Sequence, residues 1–73
     1  MKTEIDLHGI KHEDVKRVLD VFFWEMIQKN VRSFNIITGF SQRMKDIVIE
    51  TSNEYKFKVK YHPTNGGLLI IEN

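Results

Sequence analysis

The 73-residue sequence contains no cysteine, one proline, four glycines and one tryptophan. Without cysteine there is neither a disulfide framework nor a thiolate-ligated zinc site, and a reducing compartment fits, with the cytoplasm as the default. Proline and glycine are too few for a linker or low-complexity segment. No apolar run approaches the length of a signal-peptide core or a membrane span, so neither export nor insertion is expected. A strong charge of one sign is missing too: eleven Lys and Arg face ten Asp and Glu, for a formal net charge of +1. With no global basic field, any phosphate binding must come from local placement.

What remains is the profile of a compact folded unit, 41% hydrophobic and 29% charged, spanning residues 1–73 as one domain. A chain this short buries only about 60% of its unfolded surface, so a partner or a self-association interface would help it.

The sequence is organised around Ile5-Asp6-Leu7-His8-Gly9. Ile5 and Leu7 fall on one face of a period-two strand and Asp6 and His8 on the other. Gly9 then lets the chain bend. This first strand covers 3–8, and its mixed polarity suits an edge. Lys11 is the expected N-cap of a helix whose stripe is Val15, Val18, Leu19, Phe22 and Met26, with Phe23 and Ile27 on its flanks. Ile10 and Val15 are placed as a hydrophobic staple, and Glu13 and Asp14 complement the helix dipole. Trp24 lies nearly opposite the stripe and reads equally well as an isolated surface aromatic or an interface anchor. Asn30 suits a left-handed helix end.

A second strand, 32–38, puts Phe34 and Ile36 on one face and Asn35 and Ile37 on the other, and runs into Thr38-Gly39. Ser41 can cap a second helix bearing Met44, Ile47, Val48 and Thr51 and ending at Asn53, although the β-branched run 47–49 is also compatible with a strand. Phe57, Val59 and Tyr61 alternate with Lys56, Lys58 and Lys60 in a third strand, whose lysine face suits an edge. After a turn at 63–67, residues 68–71 are apolar on both faces, hence internal. The expectation is therefore an α+β two-layer sandwich, β-α-β-α-β-β, with a four-stranded mixed sheet in the order 1-2-4-3 and both helices on one face.

Ile5-Asp6-Leu7-His8-Gly9, the spaced Thr38-Gly39 and the closing Gly66-Gly67 together resemble the Smr (small MutS-related) domain over nearly the whole chain. The resemblance implies a sheet like that of the carboxy-terminal domain of bacterial translation initiation factor three. It also implies nucleic-acid binding, with nicking of DNA or cleavage of RNA in several members and no established metal requirement. In those terms Asp6 and His8 match the residues associated with activity, Gly9 the motif glycine, and Thr38-Gly39 the start of Thr-Gly-x-Gly. Two departures are plain: Ser41 replaces the second glycine of that motif, and Asn65-Gly66-Gly67-Leu68-Leu69 stands where His-Gly-Gly-x-Gly is usual.

Phosphodiester cleavage needs a base, an acid and cations for developing charge. His8 is the natural base. Asp6 could tune it, but residues two apart on a strand have Cα atoms about 6.5 Å apart, so direct contact requires a bend at Gly9. The bland alternative has Asp6 accepting backbone hydrogen bonds from the turn. His62 could supply the acid in place of the histidine missing at Asn65, or be an ordinary exposed residue before a proline turn. Amides around Gly39 and Ser41 could receive a phosphate with Arg43 beside them, or Ser41 could simply cap its helix. Asn65, Gly66 and Gly67 should reach the same rim. Lys58 and Lys60 could track a phosphate backbone or guard an exposed edge. No aromatic interleaves their face, so single-strand recognition by stacking is not indicated. No metal or other cofactor is expected: His8 and His12, on either side of Gly9, share no helical face.

The leading reading is a domain that binds DNA or RNA and cleaves it weakly. Its rival is a noncatalytic module binding a protein or a second copy through Trp24, Val21 and an open sheet face carrying Ile37, Leu69 and Ile71.

Overall fold

The computed structural model describes residues 3–73. Its elements in chain order are β1 (Glu4–Asp6), α1 (His12–Gln28), β2 (Ser33–Ile37), α2 (Gln42–Glu54), β3 (Lys58–Tyr61) and β4 (Leu68–Glu72). The sheet order is β1-β2-β4-β3, with β1 parallel to β2 and β4 antiparallel to both β2 and β3. This is the α+β sandwich the patterning predicts. The β-branched run 47–49 is helical.

One face of the sheet is packed and the other is open. Ile5, Ile36, Leu69 and Tyr61 form a row across the packed face, and Phe34, Ile71 and Val59 form the next. Against them α1 sets Val15, Leu19, Phe22, Phe23 and Met26, and α2 sets Met44 and Val48, all buried. Phe23, on the flank of the helical stripe, is fully buried because it meets Phe57 and Tyr55 edge-on at 5.1 and 5.0 Å. Such T-shaped pairs add to plain area burial.

Three expectations need correction. Leu69 and Ile71 are not on the open face: both are fully buried under the helices, and Leu68 and Ile70 lie beside Ile37 instead. A strand apolar on both sides carries no alternation to set its parity, so antiparallel pairing with Ile36 and Phe34 decides it. β1 is three residues rather than six, because the Asp6 carboxylate accepts the His8 backbone N–H at 2.8 Å and the Ile10 N–H returns to the Leu7 carbonyl at 3.0 Å. The turn therefore begins before His8. Lys56 does not open β3; it occupies a left-handed position, φ +61°, at the end of α2.

Both helices close in the same way. Asn30 is left-handed (φ +56°), with Val31 N–H donating to Met26 O and Asn30 N–H to Ile27 O. Lys56 repeats this through Phe57 N–H to Ser52 O and Lys56 N–H to Asn53 O. These are Schellman caps. Their starts differ. Lys11 caps α1 with backbone alone, whereas the Ser41 hydroxyl accepts the Met44 N–H at 3.1 Å.

Candidate functional site

Because β1, β2 and β3 run the same way and β4 opposes them, the ends of the first three and the start of the fourth share one rim. The glycines bring these loops into contact. A Cβ on Gly39, which has φ +69°, would lie 3.3 Å from the His8 ring, and one on Gly67 would lie 3.3 Å from the Gly39 Cα. The Gly67 carbonyl accepts the backbone N–H groups of Thr38 and Gly39 at 2.8 and 3.1 Å. The Thr38 hydroxyl donates to the Gly39 carbonyl at 2.8 Å and more weakly to that of Gly67 at 3.3 Å. Asn65 holds the other loop, its Oδ1 accepting the Gly67 N–H at 2.9 Å in an Asx turn. The exposed His8 imidazole thus lies against a tightly joined double loop.

The residues of this rim have unequal freedom. Thr38 is only 2% exposed and its hydroxyl is engaged internally, so it supports the loop rather than facing a ligand. Gly67 is buried as well, whereas Gly9, Asn65 and Gly66 are exposed. Asp6 accepts the His8 backbone N–H, so its carboxylate closes the turn that ends β1. Ser41 is occupied as a cap. Arg43, on the first turn of α2, is exposed and has no ion-pair partner among the described residues.

Three candidates lie away from His8. His62 follows β3, pairing with Leu68 across three strand spacings from β1, about 14 Å at the usual spacing. Its Nδ1 accepts the N–H groups of Thr64 and Asn65 at 3.2 and 3.0 Å, which leaves the ring proton on Nε2 and makes the ring a clasp for the Pro63 turn. Lys58 and Lys60 lie on the open face at the far edge. Lys60 pairs with Glu72 at 2.6 Å, and this hydrogen bond, with the charge of the ammonium, holds the Glu72 carboxyl below the usual carboxylate range. Among the described residues no three His, Asp or Glu side chains gather as metal ligands, and no helix is long and apolar enough to cross a membrane.

Sequence reasoning missed Phe40. Its ring is 83% exposed, beside the Gly39 bend, with Cε1 3.4 Å from where a Gly66 Cβ would stand. The Lys45 ammonium sits 6.0 Å from the ring centroid. A lone aromatic in a loop belongs to no period, which is why patterning passes over it. Elsewhere on the surface, Val21 and Trp24 are 64% and 63% exposed on α1. They border a shallow groove with Tyr55, whose hydroxyl donates to Asp20 at 2.8 Å. Burial and that bond push the Tyr55 phenol up, and Glu54 and Asp20 do the same for the Lys16 ammonium.

A two-layer sandwich with glycine-built loops gathered beside a histidine at one rim defines a small α+β domain with a composite rim. The Smr domain model matches residues 5–67, and the chain belongs to that family. It is similar in fold to the solution structure of the SMR domain of NEDD4-binding protein 2, at 24% identity and a TM-score of 0.64, over 99% of this chain and 85% of that one. No curated protein sequence matches. At the level of family and fold this is a Smr-like domain.

Proposed function

We propose that the rim formed by His8, Gly39 and Gly66 holds the sugar-phosphate backbone of a nucleic acid, and that His8 acts there as a general base for phosphodiester cleavage. The observation that carries this is the exposed His8 ring lying against Gly39, close to the start of α2. The Ser41 cap occupies only the Met44 N–H, so earlier amides of α2 remain to meet a phosphate oxygen, with Arg43 in the same turn. His8 would take the proton of an attacking water, or of a ribose 2′-hydroxyl, and solvent would protonate the leaving oxygen. His62, across the sheet and engaged in its own turn, is assigned the clasp and not the acid.

Cleavage and binding are to be measured on supercoiled DNA and structured RNA, with chelator present and His8→Ala alongside. General-base catalysis contributes about 10²- to 10⁴-fold, so the variant should lose turnover by that much while still binding. Equal turnover in variant and wild type removes His8 from the mechanism; binding without turnover by the wild type leaves a noncatalytic domain. A second reading, self-association through α1, is favoured by the exposed Val21–Trp24 surface. A shift of Trp24 fluorescence on dilution would support it.

A further inference from the structure

Of the five phenylalanines, Phe22, Phe23, Phe34 and Phe57 are buried in the core, and Phe40 alone is exposed. Single exposed apolar residues are common and need no explanation by themselves. Phe40 differs in what holds it and in what it fails to do. It occupies the position before the N-cap of α2, where a hydrophobic staple would pack it on the residue four places into the helix. The corresponding pair on α1, Ile10 and Val15, obeys that rule, with Val15 fully buried and Ile10 packed against the core. On α2 the partner is Lys45, so the ring meets an ammonium at 6.0 Å rather than an apolar side chain. Burial therefore does not account for the aromatic here.

The backbone that carries the ring is nevertheless tied down. Its loop is tied through Thr38 and Gly39 to the Gly67 carbonyl, and the ring edge lies over Gly66, 3.4 Å from where a Cβ would stand, an ordinary van der Waals distance. Neither Arg43 nor Lys45 has an ion-pair partner among the described residues. An exposed aromatic on an anchored loop beside unpaired cations is the combination that receives a base and its flanking phosphate. In a duplex both faces of every base are already covered by neighbours, so such a surface selects bases that are free.

Resting on the reading of the rim as a nucleic-acid site, we propose that Phe40 is a stacking platform for an unpaired nucleobase, so that the polymer held there is single-stranded. The chemistry, a π-face next to a phosphodiester, is common to RNA and DNA. The lysine face of β3 carries no such aromatic, so the absence of stacking residues there does not extend to the molecule as a whole.

The test is fluorescence anisotropy with short labelled single strands of RNA and of DNA, each compared with its own duplex at one low salt concentration. The wild type should prefer single strands, and the RNA and DNA arms show which sugar is accepted. Phe40→Ala should weaken single-strand binding roughly five- to a hundredfold, the range of one base–aromatic stack, while duplex binding changes little. Phe40→Trp should retain the affinity. Phe40→Leu, apolar but without a π-face, should behave as Phe40→Ala, which separates stacking from simple contact. Each variant is checked for an unchanged circular dichroism spectrum. Equal binding of single strands and duplexes, with Phe40→Ala neutral, overturns this inference alone. No binding of any strand or duplex by the wild type overturns the rim as a nucleic-acid site as well.

Discussion

Replacing Gly39 with Ala tests the rim as one packed unit. At φ +69° an L side chain is disfavoured by roughly 1–2 kcal/mol, and the stiffer unfolded chain of the variant returns about 0.4–1 kcal/mol. The net backbone cost is about 1 kcal/mol, which in a domain of this size lowers Tm by roughly 4–8 °C. The new methyl would also stand 3.3 Å from the His8 ring, which, being exposed, can move a few tenths of an ångström at small further cost. Gly9→Ala is the control: φ is +87° but nothing lies within 4 Å of its Cβ position. Both variants should melt several degrees early by circular dichroism. Because Gly9 is the next residue in the chain, the decisive readout is the pattern of His8 imidazole NMR signals, which Gly39→Ala should shift more than Gly9→Ala does. A Gly39→Ala protein melting at or above the wild-type temperature would refute the backbone argument, and larger ring shifts in Gly9→Ala would refute the contact.

Lys56→Gly should stabilise the fold by about 0.5–1 kcal/mol, since lysine holds the left-handed cap of α2 at φ +61°; an unchanged or lower urea midpoint would count against the cap. Stability should also fall at both extremes of pH. The folded state holds the Glu72 carboxyl down through Lys60, so its contribution is present above the ordinary carboxylate range and is lost as acid protonates the group. Tyr55 and Lys16 are raised, so theirs is present below about pH 10 and is lost as the pH climbs past it. In denaturation profiles against pH, Glu72→Gln should flatten the acid limb and Tyr55→Phe the alkaline one, and limbs unaffected by these changes would assign them to other groups.

The layout of the sheet was legible because charge and hydrophobicity are unevenly distributed among its strands: lysines mark β3 as an edge, and the doubly apolar β4 has to lie inside. Asn30 and Ser41 were legible because their side chains suit the backbone positions they hold. Lys56 was not, since the left-handed cap there is imposed by the packing of Tyr55 and Phe57 on either side and lysine carries no signature of it. The parity of β4 was hidden by the same apolarity that revealed its central position. At the rim, the glycines announced three bends and the topology placed them together. Their mutual distances, the burial of Thr38 and the mounting of Phe40 depend on tertiary contacts that no local pattern encodes.

The carbonyl oxygen of Gly67 takes hydrogen bonds from two backbone amides and one hydroxyl of the opposite loop. A clamp of that kind couples the two loops mechanically: neither can swing out while the other stays in place. A molecule settling on this end of the protein therefore meets a surface whose shape is set in advance, and selectivity would follow from fit to that shape rather than from loops closing around the guest. Amide exchange at Thr38 and Gly39 should accordingly be among the slowest in the chain, requiring nearly global opening.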